Sequence, residues 1–326
     1  MVLFVDKAAV LGAGVMGARI AEVLAMNNVK VILRDINDEY LQKGLKTIKD
    51  DLAELVAFHA GKAQKAIDDF EGKTGVALTD DQKAQVRESL KPTYDEARAQ
   101  KILQNITTTT SYDGFDSVDM VIEAVPENLE LKRKVLGELF ENIPSHVVVA
   151  TNTSTLPITD VARLLPEDRR GRFLGVHFFN PPSTLPLIEV IAGEETRPDT
   201  MEDVINVFAP MRNHRFPMLP VQVKECPGFL VNRILAPMLN EAFLCYEEGI
   251  ARPKDIDLAM QAGAGMPMGP LALADMIGLD VVQHAGVSIK SRIGDGPRPQ
   301  PKIIDELVAQ GNLGQKSGKG FFEYRT

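Results

Sequence analysis

The segment that most constrains this chain runs from Lys7 to Asp35. Lys7 to Leu11 is a short apolar run and reads as a strand; Gly12-Ala-Gly-Val-Met-Gly17 breaks it; Ala18 to Asn27 has the character of a helix; and Val29 to Asp35 is a second strand. Strand, glycine turn, helix and strand make a βαβ unit, the opening of a doubly wound parallel sheet. Each glycine has its own task. Gly12 makes the tight turn, Gly14 lets the backbone approach a pyrophosphate, and Gly17 lets the helix pack closely on the sheet. A phosphate would rest on the free N–H groups of the helix start, around Val15 and Met16. Asp35 closes the second strand, where a carboxylate accepts hydrogen bonds from ribose hydroxyls and repels a 2′-phosphate, favouring NAD over NADP. Arg34 argues the other way, since an arginine there can pair with a 2′-phosphate.

With 326 residues the chain is long enough for about two domains. A net charge of -9 speaks against a general nucleic-acid binder. The two cysteines, Cys226 and Cys245, have no metal or disulfide spacing and suit a reducing compartment. The start lacks the features of a signal peptide, and no apolar stretch approaches the roughly 20 residues of a membrane helix, so a cytoplasmic protein without membrane contact is expected.

From about residue 45 to 101 the chain is dense in Lys, Asp, Glu and Ala, with Leu52, Leu55 and Val56 at helical spacing. Gly61, Gly72, Gly75 and Pro92 interrupt it, so two or three amphipathic helices are expected as an insertion in the sheet. Such an insertion is either a solvated surface or an arm over a substrate. Strands resume near 105–108, 120–124, 147–151 and 173–178, with a helix over Leu131–Glu141. Val221 to Gly228 marks a boundary, beyond which strand character is lost. A long helix over Phe229–Glu248, bent at Pro237, and shorter ones near 253–261, 271–277 and 302–310 follow. The expected fold is α/β: a Rossmann-like doubly wound, mostly parallel sheet over 1–224 with a helical insertion, then an all-α C-terminal domain over 225–326.

Three further stretches carry candidate chemistry. In Gly175-Val-His-Phe-Phe-Asn-Pro-Pro-Ser-Thr-Leu-Pro-Leu-Ile-Glu-Val-Ile191, His177 and Glu189 are equally far from a turn centred near Ser183. If the strands pair as a hairpin, the two side chains are opposite neighbours on one face. They form either a surface salt pair or a general base whose carboxylate fixes the ring tautomer. Glu127 and Lys132 follow an apolar strand end, where they could reach a nicotinamide ribose; equally, Glu127 suits an ordinary helix start. Ser154 stands in Val147-Val-Val-Ala-Thr-Asn-Thr-Ser-Thr155, a strand opening into small polar residues, as a substrate hydrogen bonder or as turn and cap chemistry. His59, His146, His214 and His284 show no metal-ligand spacing, so no metal is expected.

The chain resembles the L-3-hydroxyacyl-CoA dehydrogenase family over nearly its whole length. Besides Val10–Gly17, the motifs are Ile122-Glu-Ala-Val-Pro-Glu-Asn128, Thr151-Asn-Thr-Ser154, His177-Phe-Phe-Asn-Pro181, Cys226-Pro-Gly-Phe-Leu-Val-Asn-Arg233, Pro267-Met-Gly-Pro270 and Gly314-Gln-Lys-Ser-Gly-Lys-Gly-Phe-Phe-Glu-Tyr324. It looks most like the dehydrogenase portion of the multifunctional fatty-acid β-oxidation α subunit. The resemblance implies NAD-dependent, reversible oxidation of (S)-3-hydroxyacyl-CoA, with His177 as base, Glu189 orienting it, Ser154 and Asn232 on the reacting oxygen, and Asn180 near the histidine and the thioester. It further implies that the insertion meets coenzyme A. Because that insertion is longer than is usual in the family, Lys49, Lys62 and Lys65 are only candidate phosphate partners. No hydratase region precedes Met1, and a single copy of the C-terminal helical domain follows. A homodimer through that domain is expected, together with contacts to other β-oxidation enzymes. Two competitors stand beside this reading: a dehydrogenase of another 3-hydroxy acid without coenzyme A, and a silent NAD-binding scaffold.

Overall fold

A computed structural model describes residues 3–293 and 301–324. These fall into two compact units, one of residues 3–153 with 158–222, the other of 154–157 with 223–293 and 301–324.

In the first unit, β1 (Lys7–Leu11), α1 (Val15–Met26) and β2 (Lys30–Arg34) form the expected βαβ start, with β1 and β2 parallel. Then α2 (Asp38–Thr74), α3 (Asp80–Ser89) and α4 (Glu96–Gln104) form the helical insertion before β3 (Ile106–Thr109). β4 (Met120–Glu123), α5 (Leu129–Phe140), β5 (Val148–Thr151), the short α6 (Ile158–Ala162) and α7 (Glu167–Arg170), and β6 (Phe173–Phe178) continue it. β7 (Leu187–Ala192), α8 (Pro198–Phe208) and β8 (Leu219–Lys224) complete the sheet. Its strand order is β3-β2-β1-β4-β5-β6-β7-β8, parallel from β3 to β6, with β7 antiparallel to β6. The central strands read as continuous apolar runs because both faces are covered; Ala8, Val10, Ile122, Val148 and Val176 are all fully buried.

The insertion holds three helices, within the expected two or three, separated at Gly75 and around Pro92, but its first helix is longer than the glycine pattern suggested. Gly61 and Gly72 do not break it: α2 is one helix of 37 residues, roughly 55 Å at 1.5 Å per residue. An added Cβ at either glycine would meet nothing within 4 Å, so both lie on open helix surface. There each costs about 1 kcal/mol relative to alanine, which a long cooperative helix absorbs. The helix starts where Asn37 accepts the Tyr40 N–H at 3.0 Å and ends at Gly75 in a left-handed conformation. Its base is seated on α1 and the glycine turn through buried Leu41, Ile48 and Leu52.

The second unit holds α9 (Val231–Glu247, containing Pro237), α10 (Pro253–Ala264), α11 (Pro270–Ile277), α12 (Leu279–Ile293) and α13 (Ile303–Ala309). The sequence reading missed α12. β8 also carries strand structure into the stretch from Val221 read as a boundary. The helices share a core of Leu239, Phe243, Ile256, Leu271, Leu279 and Ile304. Two buried carboxylates tie the proline- and glycine-rich motifs into it. Asp257 accepts the Leu271 and Ala272 N–H groups at 2.8 and 2.9 Å, supplying the start of α11 with the acceptor it otherwise lacks. Asp275 accepts the Phe321 and Phe322 N–H groups and the Tyr324 hydroxyl at 2.9, 3.0 and 2.9 Å, which fastens the C-terminal segment. Among the described residues no helix is long and apolar enough to cross a membrane.

Candidate active site

The glycine turn shows three different environments. Gly12 has φ +100°, and an added Cβ would press on the Ala124 carbonyl. At Gly17 it would collide with the Gly12 carbonyl, backbone against backbone. At Gly14 it would meet nothing within 4 Å. Gly14 is also the N-cap of α1, with no side-chain cap and no acidic residue in the first turn. The helix start from Val15 and Met16 onward therefore keeps backbone donors and positive dipole for an anion. The Asp35 carboxylate accepts the Ala13 N–H at 2.6 Å and the Ile36 N–H at 2.7 Å, so it is fixed beside the turn. These residues fit a dinucleotide. Arg34 does not supply a 2′-phosphate partner there: it is buried, its guanidinium lies 4.6 Å above the Tyr112 ring, and Glu138 is 3.9 Å away.

At the end of β4, Lys132 corrects the reading. Its side chain is fully buried, and its ammonium donates to both Glu123 oxygens at 2.7 and 2.9 Å and to the Val125 carbonyl at 3.3 Å. It stands 3.7 Å from Glu127, which is a quarter exposed and accepts the Thr153 hydroxyl at 2.6 Å. Glu127 is thus the group at the surface, with Lys132 behind it. Glu123, which the sequence reading passed over, organises this cluster by also accepting the Thr151 hydroxyl at 2.6 Å and the Val125 N–H at 2.7 Å. Its signal was a lone carboxylate closing a fully apolar strand. Asn128 caps α5 by accepting the Leu131 N–H at 2.9 Å, so the segment is a helix start as well.

β6 and β7 pair with His177 directly opposite Glu189. The His177 Nδ1 and Glu189 Oε2 are 2.8 Å apart, and both side chains are at most 5% exposed. The salt-pair alternative placed them on the surface; they are buried. An ionised carboxylate only accepts hydrogen bonds, so Nδ1 is the donor in this contact. The strand end is braced from β5, where the Asn152 side-chain oxygen accepts the Phe178 N–H at 2.8 Å.

Asn180 follows β6, and its side-chain oxygen lies 3.4 Å from Arg19 Nη1. Ser154 belongs to the second unit's 154–157 segment, and Asn232 is the second residue of α9 in that unit. Lys49, Lys62 and Lys65 all lie on α2, with the Lys62 ammonium 4.9 Å above the Phe58 ring. His214 Nε2 is 2.6 Å from Glu22 Oε1, a second and buried histidine–carboxylate pair. Burial pushes the Glu22 carboxyl up, and the bond to His214 pulls it partly back.

Comparison with known proteins gives the family. The NAD binding domain of 3-hydroxyacyl-CoA dehydrogenase matches residues 7–79 and 65–226, and the C-terminal domain of the same family matches 228–324. The human mitochondrial hydroxyacyl-coenzyme A dehydrogenase is 34% identical over 99% of this chain and 92% of its own length. A probable 3-hydroxybutyryl-CoA dehydrogenase of Bacillus subtilis is 35% identical over 97% of this chain and 96% of its own. Among solved structures, the (S)-3-hydroxybutyryl-CoA dehydrogenase PaaH1 of Ralstonia eutropha is 35% identical with a TM-score of 0.80, covering 99% of this chain and all of that one.

Proposed function

The chain belongs to the 3-hydroxyacyl-CoA dehydrogenase family, and from that premise we propose that it oxidises (S)-3-hydroxyacyl-CoA reversibly to 3-oxoacyl-CoA with His177 and Glu189 as its proton-transfer pair. It is an NAD-dependent oxidoreductase. The observation that carries the proposal is the buried 2.8 Å contact between His177 Nδ1 and Glu189 Oε2 at matched register in the β6–β7 hairpin.

With Nδ1 held by Glu189, His177 takes the proton of the substrate 3-hydroxyl at Nε2 and returns it in the reverse direction. Glu189 keeps the tautomer and stabilises the imidazolium, an attraction that burial strengthens. Ser154 and Asn232 hydrogen-bond the reacting oxygen, and Asn180 the thioester end. NAD, when bound, supplies the hydride acceptor. Gly12, Gly14, Val15, Met16 and Gly17 hold its pyrophosphate, Asp35 its adenosine ribose, and Glu127, backed by Lys132, its nicotinamide ribose.

The same reading divides the chain into a cofactor domain of 1–224 and a substrate and dimerisation domain of 225–326. It assigns the coenzyme A contacts to α2, with Lys62 as the candidate phosphate partner, and places the protein in the cytoplasm as a homodimer. It keeps contacts with other β-oxidation enzymes as a further proposal.

The test is NADH formation from (S)-3-hydroxybutyryl-CoA and longer homologues. Turnover is expected, and His177→Gln is expected to lower kcat by about 10²- to 10⁴-fold with NAD affinity retained. No NADH with any chain length despite NAD binding would mean a silent scaffold. Full activity of the variant would remove the assigned base.

A further inference from the structure

We propose that Arg19, clamped by Asp51, is a positioning residue that sets which way the Asn180 amide faces. α1 places Arg19 two residues beyond Gly17, and α2 brings Asp51 against it. Arg19 Nε is 2.6 Å from Asp51 Oδ2, and Nη2 is 3.1 Å from Oδ1. This two-point contact fixes the plane of the guanidinium rather than only its position. The remaining nitrogen, Nη1, is the one that lies 3.4 Å from the Asn180 side chain.

A guanidinium has donors only, so the Asn180 atom facing it must be the amide oxygen. The amide nitrogen then points away with its two N–H groups, and among the described residues no hydrogen bond to it is recorded. Asn180 follows His177 by three residues, just past the end of the same strand. Arg19 thus presents an oriented donor to a substrate oxygen beside the base. Without a donor at residue 19 the amide can rotate and offer its oxygen to that oxygen instead, which repels it. At 3.4 Å the contact is long, so its effect lies in the bias between two amide orientations rather than in bond strength. Because Asp51 belongs to the insertion, seating of the insertion and orientation of Asn180 run through one side chain. The inference rests on the reading of Asn180 as a substrate hydrogen bonder.

The experiment is a double-mutant cycle on the full-length protein with NAD and 3-hydroxybutyryl-CoA, using Arg19→Met, Arg19→Lys, Asp51→Asn and Asn180→Ala. Arg19→Met should lower kcat/KM for the thioester about tenfold while the KM for NAD stays within about twofold. Arg19→Lys, which keeps a donor, should recover part of the loss. In the Asn180→Ala background, Arg19→Met should cost less than about twofold, because the group it orients is gone. Should Arg19→Met fail to fold, Asp51→Asn takes its place, with a smaller loss that again vanishes in the Asn180→Ala background. Equal losses in both backgrounds, or a loss shared with NAD, would make the role structural and overturn the inference. If Asn180→Ala lowers turnover and Arg19→Met does not, this inference alone fails. If Asn180→Ala itself leaves turnover intact, the reading of Asn180 fails and takes this one with it.

Discussion

At the scale of single residues, Gly14 and Gly17 stand three positions apart under different constraints. A methyl at Gly17 would strike a backbone carbonyl of the same turn, whereas at Gly14 it would enter open space next to an uncapped helix start. Gly14 also has φ −67°, which alanine adopts without strain. Gly14→Ala is therefore expected to leave the melting temperature within about 2 °C and to weaken NAD binding at least about tenfold. Calorimetric titration with NAD beside a thermal melt checks both; unchanged affinity would mean that no phosphate approaches there. Glu22 offers a pH test. Its carboxyl is raised in the folded state by burial, so its contribution to stability is complete below the ordinary glutamate value and is lost as pH rises through the raised one. Glu22→Gln removes that loss, although it also weakens the contact with His214. The melting temperature of the variant minus that of the parent should therefore increase between about pH 4.5 and 7. A difference that falls over this range would show that burial does not dominate at Glu22.

At the scale of elements, the two glycines of α2 illustrate how a local signal is overruled. Gly61 and Gly72 looked like breaks because glycine is a poor helix former, yet the helix around them is anchored by its cap at Asn37 and by Ile48 and Leu52 in the core. Propensity is a weak prior against such contacts. The β6–β7 hairpin shows the opposite case, since its register was legible from residue counting about Ser183. Side chains alternate strictly along a strand, so equal distances from a turn place two residues on one face. The outer part of the insertion carries few buried side chains, whereas its base does. Replacing residues 57–91 with a short linker, which keeps Leu52 and Tyr94, should raise the KM for CoA thioesters about tenfold or more and leave the KM for NAD nearly unchanged. Steady-state kinetics on both substrates decides this, and an unchanged thioester KM would detach the insertion from coenzyme A.

At the scale of the whole molecule, the second unit leaves several apolar side chains exposed on its helices. Ile234 is 64% exposed, and Leu258 and Val287 are each 57% exposed. Burying such groups against a second copy gains about 25 cal/mol per Å² of apolar surface removed from water. Sedimentation velocity is expected to give twice the chain mass of 35.7 kDa, and Ile234→Glu to shift the population toward monomer. A monomer in the parent protein would remove the proposed dimer. The family model matches and the sheet agree on the architecture, while α12 and the strand β8 escaped the sequence reading. α12 packs on α11 and α13, its neighbours in the chain, and on α9.

The sequence by itself determined the βαβ start, the acidic residue beside it and the pairing of His177 with Glu189, because glycine spacing and strand alternation are local rules that act within a few tens of residues. Only the tertiary structure decided that Lys132 stands behind Glu127, that Arg34 turns to Tyr112, and that Arg19 faces Asn180. In these cases the outcome depends on which partner a charged side chain meets when it leaves water. Those partners, Glu123, Tyr112 and Asp51, come from other elements of the fold. For Lys132, fully buried on Glu123, the cost of burying an unpaired charge selects the contact, and that cost is set only once the chain has folded.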